Sequence, residues 1–150
     1  SDEYPNLRVW VVDLKAVIDC GRSRVGTAER IEFVTGDART FKLDGEFDVV
    51  TLNDMLHYFS TDEKRQVVAR ACRRLRSGGT IAVCEFRLDG EPAVRAGSAL
   101  FSFRMFADTH KGYVGSGEEI RGLLREAGVE DISELALSGS KVAFVGRRRV

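Results

Sequence analysis

A chain of 150 residues, 43% hydrophobic and 31% charged, has the length and balance of one soluble globular domain with its own core. Lys and Arg number 23 and so do Asp and Glu, giving a formal net charge of +0. This excludes a protein held to nucleic acid or a membrane surface by bulk charge. Three cysteines with no C-x-x-C pair, no signal peptide and no long apolar span describe a reduced, cytoplasmic chain.

Leu7 to Val12 is a short, β-branched apolar run, the mark of a strand covered on both faces, and it ends at Asp13. An acid just past such a strand is where nucleotide-binding α/β folds hold ribose hydroxyls. Aspartate also caps helices, and Leu14 to Val25 reads as a helix, so both roles stand for Asp13. Ile31 to Thr35 is a second strand closed by Gly36-Asp37, where the aspartate can accept hydrogen bonds from a ligand or from local backbone. A polar connector from Phe41 to Glu46, with Gly45 as its turn, leads to a third strand, Phe47 to Leu52. Ligands of open α/β sheets bind where strands end. The polar and aromatic cluster that follows, with His57 in its middle, is therefore the first place to expect a site.

Ser60-Thr61-Asp62-Glu63 has the S-x-x-E form of a capping box and predicts a helix to about Arg76, with Val67, Ala71 and Leu75 on one face. Ser77-Gly78-Gly79 stops it, and Thr80 to Phe86 is the next buried strand, carrying Glu85 near its end. Cys84 inside that strand and Cys72 on the helix face suit packing. Pro92 suits the first turn of a helix from about Ala93 to Thr109, which carries Val94, Leu100, Phe101, Phe103, Met105 and Phe106. So wide an apolar surface implies core packing first, with a partner or a substrate as the alternatives. Ser116 to Glu119 repeats the capping-box form ahead of a helix through Ala127, with Ile120, Leu123 and Leu124 inward and Gly128 as the stop. Two strands, near Asp131 to Ser138 and Lys141 to Val145, form a hairpin about the turn Ser138-Gly139-Ser140. The basic residues Arg70 to Arg76 and Arg147 to Arg149 read as solvated faces. His57 and His110 are far apart and unaccompanied, so no metal site is expected, and His110 is assigned no role. The order β-α-β-β-α-β-α-α-β-β predicts an α/β fold: a mostly parallel sheet with helices on both faces and a C-terminal antiparallel hairpin.

These pieces, in this order, resemble the catalytic domain of class I S-adenosylmethionine-dependent methyltransferases, closest to the small-molecule O-methyltransferases. The resemblance rests on Tyr4 to Leu14, Arg30 to Asp37, Phe47 to Leu52, Met55 to Asp62, Leu75 to Glu85 and Ser116 to Val129. It implies S-adenosylmethionine as cofactor and a Rossmann-like sheet. Asp13, with Leu14 beside it, matches the acid that holds the cofactor ribose. Asp37 and Ala38 match the pair at the adenine ring, and Asn53 a residue contacting the cofactor. His57 falls where plant-type O-methyltransferases place a histidine base, and Glu85 matches the carboxylate that orients it. A histidine near neutrality can take the proton from a hydroxyl as it is methylated.

The chain departs from the family pattern in three places. Tyr58 stands where the plant-type pattern has Asp, and Phe59 where it has Trp. The Gly-x-Gly-x-Gly cofactor turn, which in the family comes ahead of Tyr4, is not in this chain. The resemblance therefore implies the C-terminal portion of a catalytic domain, a single methyltransferase-like unit over residues 1–150 with an incomplete sheet. The family's first strand lies between the strands ending at Asp13 and Leu52. Without it those two strands pair directly, rearrange, or accept a strand from a second chain, so homo-oligomerisation or strand exchange is expected. The expected activity is methyl transfer to a small hydroxyl-bearing substrate, an aromatic one if Phe101, Phe103, Met105 and Phe106 line its pocket. The alternative is a non-catalytic, truncated or engineered methyltransferase-like domain that folds or assembles without turnover. A nicotinamide-dependent Rossmann protein is disfavoured by the missing fingerprint and by the hairpin.

Overall fold

The computed structural model describes residues 4–26, 29–89, 92–137 and 139–150. Ser138, first residue of the expected hairpin turn, lies outside them, as does the side chain of Val94. The elements follow the predicted order, and the chain divides into two compact units, Ser1–Asp44 and Gly45–Val150. Among the described residues no helix is long and apolar enough to cross a membrane.

The first unit is a β-α-β turn of chain. Strand β1 (Val9–Asp13) and β2 (Ile31–Thr35) pair in parallel, Val9 opposite Ile31 and Asp13 opposite Thr35. Helix α1 (Lys15–Val25) joins them and buries Ile18. Asp13 does not cap this helix. Leu14 is the N-cap residue, and the Asp13 carboxylate accepts a 2.7 Å bond from its amide. Beyond β2 the chain turns back sharply, and a Cβ on Gly36 would come within 2.8 Å of the Phe41 side chain, so glycine is required there.

The second unit is built on a four-stranded sheet of order β3-β4-β6-β5, with β3 at Phe47–Asn53, β4 at Leu75–Phe86, β5 at Val129–Ala136 and β6 at Lys141–Arg148. The β3–β4 pair is parallel, while β4–β6 and β5–β6 are antiparallel, the last being the predicted hairpin. Helix α2 (Thr61–Cys72) begins with a complete capping box between Ser60 and Glu63. It ends one turn earlier than its apolar spacing suggested. The Arg74 amide bonds to the Ala71 carbonyl, and the Arg74 carbonyl accepts from Phe47, which draws the chain into the sheet. Leu75 is fully buried, as its spacing implied, but as the first residue of β4. Ser77-Gly78-Gly79 does not stop the helix. It forms an irregularity in β4, where two steps of β3 face five of β4 and Gly78 takes φ 71°.

Helix α3 (Pro92–Thr109) overturns the simple core reading. Met105 is buried, but Leu100, Phe103 and Phe106 are exposed at 72%, 70% and 57%, while the small Ser98 is fully buried. Helix α4 (Gly117–Glu126) behaves as its pattern requires, burying Ile120, Leu123 and Leu124 and turning out of the helix at Gly128 with φ 82°. Together with Val67, Val68, Ile81, Val83 and Phe144 these residues make the core of the second unit.

Candidate functional site around His57

Strand β3 delivers the chain to the site. Asn53, its last residue, is exposed and pairs with Cys84 of β4, and its amide group donates to the Thr51 hydroxyl. Asp54 then adopts φ 50°, a left-handed conformation that Asp tolerates better than most residues, and its carboxylate meets the Lys141 ammonium at 2.5 Å. The reversal leads into one 3-10 turn, Leu56–Tyr58, which places His57 indoors at 4% exposure.

Glu85 lies opposite on β4, the central partner of both β3 and β6. Ile81, Val83 and Glu85 are all buried at period two, so this carboxylate occupies a core-facing position of the strand. Both its oxygens are used. Oε1 accepts from the Leu56 backbone amide at 2.7 Å, and Oε2 lies 2.8 Å from His57 Nδ1. The pair satisfies the rule that buried charge is hydrogen-bonded or paired. A carboxylate only accepts, so Nδ1 carries the ring proton and the lone pair is left on Nε2. One side chain thereby anchors the turn and sets the histidine tautomer.

Three aromatic rings enclose the imidazole. Tyr58 lies 4.5 Å away centroid to centroid, Phe101 of α3 stands edge-on at 5.0 Å, and Phe86 of β4 is edge-on at 6.0 Å. Phe86 and Phe101 pack on each other at 4.6 Å, and the Lys141 ammonium is 4.9 Å from the Phe86 ring centre. Sequence reasoning missed Phe86. Its neighbour Glu85 was the visible signal, and the strand end that places both at one site was not.

Asp13, Leu14, Asp37 and Ala38 belong to the first unit. Because β1 and β2 run in parallel, Asp13 and the Gly36-Asp37 turn stand at the same end of the pair, with the Gly36 amide bonded to the Asp13 carbonyl at 2.9 Å. Asp13, Asp37 and Ala38 are half-buried and Leu14 is exposed. The Asp37 carboxylate binds the Arg39 guanidinium and the Arg39 amide. Among the described residues no group of His, Cys, Asp and Glu is arranged to hold a metal, and the cysteines are unlinked.

The O-methyltransferase domain family model matches residues 1–130. The chain is 27% identical over 148 residues to the tetracenomycin polyketide synthesis 8-O-methyl transferase of Streptomyces glaucescens, covering 97% of this chain and 43% of that protein. It is 29% identical over 147 residues to the acetylserotonin O-methyltransferase of Bos taurus, covering 97% and 42% respectively. It thus spans less than half the length of the curated relatives it matches. Among solved structures, an O-methyltransferase family protein from Burkholderia thailandensis superposes with a TM-score of 0.84 at 30% identity, over 99% of this chain and 46% of that one. Human N-acetylserotonin methyltransferase, solved in complex with S-adenosylmethionine, has the same fold with a TM-score of 0.82 at 24% identity, over 99% and 43%. With the greater part of its length matched in one collinear stretch, the chain belongs to the O-methyltransferase domain family.

Proposed function

We propose that this chain is the part of an S-adenosylmethionine-dependent O-methyltransferase that carries the catalytic base, acting on the hydroxyl of a small aromatic acceptor. The buried His57–Glu85 pair carries the reading, because it leaves one imidazole nitrogen as a fixed acceptor for a proton. The relatives support the acceptor class, since their names specify a polyketide, a naphthoate and acetylserotonin. The donor set of the first unit fits the cofactor. The Asp13 carboxylate accepts only from the adjacent Leu14 amide among the described residues, leaving acceptor capacity for a ribose diol. Asp37 and Ala38 stand at the matching end of the neighbouring strand.

S-adenosylmethionine, when bound, supplies a methyl group on a sulfonium. His57 Nε2 would take the proton of the acceptor hydroxyl, and Glu85 would hold the resulting imidazolium at Nδ1. The rings of Tyr58, Phe86 and Phe101 keep the imidazole out of water and offer flat apolar surface to an aromatic acceptor.

Calorimetric titration with S-adenosylhomocysteine, followed by methyl-transfer assays using N-acetylserotonin and 3-hydroxynaphthoate as probes, tests the proposal. Binding in the micromolar range is expected, and His57→Ala should lower turnover by about 10²–10⁴ with little change in cofactor affinity. Absence of heat at millimolar ligand favours the non-catalytic alternative. Full activity in His57→Ala removes the base from the mechanism.

A further inference from the structure

The turn that carries His57 is backed by the Lys111–Gly115 loop, which links α3 to α4. Gly112 of that loop is buried so tightly that a Cβ on it would lie 2.4 Å from the His57 carbonyl oxygen and 3.1 Å from the Tyr58 carbonyl carbon. The backbone of the loop thus packs directly against the backbone of the turn that carries His57. The loop is tied on every side. The Thr109 hydroxyl accepts from the Gly112 amide at 2.7 Å, the Val114 amide donates to Ser102 at 3.0 Å, and the Lys111 ammonium meets Glu63 at 2.6 Å.

The deepest tie is Lys64 of α2, only 2% exposed. Its ammonium donates to the Tyr113 carbonyl at 3.2 Å and to Glu119 Oε1 at 3.1 Å, and stands 3.2 Å from the centre of the Tyr113 ring. The Tyr113 hydroxyl in turn bonds to Glu119 at 2.5 Å and shares a 2.7 Å bond with Thr61. Lysine is almost never buried this far without such partners. An apolar side chain would fill the space at a smaller desolvation cost, so packing alone does not account for it. What the ammonium adds is direction, because it fixes the carbonyl next to Gly112.

We infer that Lys64 is a positioning residue for His57, acting through Tyr113 and the Gly112 backbone; its catalytic meaning rests on the reading of His57 as the base. The ammonium also feels the far side of the site. Burial lowers its pKa from the ordinary lysine value, Glu119 opposes this first, and the next carboxylate to oppose it is Glu85, the partner of His57. Lys64 touches the site through the loop behind the turn that carries the imidazole.

The test is imidazole NMR on the whole chain, which has only two histidines, so a His110→Gln variant assigns the His57 signals. In the wild type His57 should show a single tautomer with a solvent-protected Nδ1 proton. Lys64→Met should shift the ring signals and speed exchange of that proton by about tenfold or more, as expected when a local unit is loosened. Tyr113→Phe, which loses the bonds to Thr61 and Glu119 but keeps the ring, should do the same to a smaller degree, and it decides the matter if Lys64→Met fails to fold. Arg65→Ala, which removes only bonds to Asp62 and Glu126, should leave His57 unchanged. His57 signals that stay put in folded Lys64→Met and Tyr113→Phe overturn the inference, as does an equal response to Arg65→Ala. Methyl transfer is not needed for the readout, so failure here is distinguishable from failure of the proposed activity.

Discussion

Cys72 illustrates how far environment separates like residues. It is 2% exposed at the end of α2, and burial pushes its thiol up to about 11 against a modest pull from Arg148 and Arg73. Burial also raises Cys84, helped by Asp54 and Glu85, whereas Cys20 is exposed. An unfolded thiol ionises near about 8.5. Above that pH the unfolded chain has lost the Cys72 proton and the folded chain has not. The unfolded state then binds fewer protons, and stability falls with rising pH. The contribution is complete below the unfolded value and lost as pH climbs through the folded one. Denaturant titrations of wild type and Cys72→Val should therefore diverge between about pH 8 and pH 10.5, the wild type losing roughly 2 kcal/mol more than the variant. Parallel curves would show that the thiol is not held in that environment. At the same scale, the role proposed for Glu85 depends on a position the sequence only half revealed. The sequence put it near the end of a buried strand, but held no sign of the Leu56 amide that shares the carboxylate with the imidazole.

Helix starts were the most legible elements, because their chemistry is local. Ser60 and Glu63 lie three apart, and the structure closes both bonds of the capping box between them. Ser60→Ala should cost about 1 kcal/mol in chemical denaturation. Since α2 begins directly after the His57 turn, it should also broaden the amide signals from Leu56 to Thr61. An unchanged midpoint would mean the first turn is held by packing alone. Helix ends were less legible. Arg73 to Arg76 continue a helical pattern, but the backbone bond from Phe47 to Arg74 belongs to the sheet, and no local spacing encodes it. Helix α3 is the clearest reversal. Its large residues Leu100, Phe103 and Phe106 face outward, and Ser98, Ser102 and Met105 lie along the inner side.

For the whole molecule, the sheet edges carry the main consequence. Among the described residues β3 pairs with β4 alone, and Val49 on it is 57% exposed. Unpaired strand edges with exposed apolar residues template further pairing, and the charged Asp48, held by Arg76, is a modest guard. We propose that the isolated chain self-associates through such an edge. Light scattering should give masses above the 16.6 kDa monomer that rise with concentration, and Val49→Lys should lower them. A monomer mass at every concentration would refute this.

Sequence alone determined the features set by short-range chemistry: the order of elements, the Ser60–Glu63 capping box, the inner stripe of α4, and the pairing of His57 with Glu85 through family resemblance. The tertiary structure decided which residues share a wall. That Gly112 backs His57, that Lys64 fixes Tyr113, and that Phe86 and Phe101 close on one imidazole follow from elements separated by tens of residues coming together. Periodicity reports which way a side chain faces on its own element. It carries no record of what that face meets, because burial of apolar area is non-directional and many partners satisfy it equally.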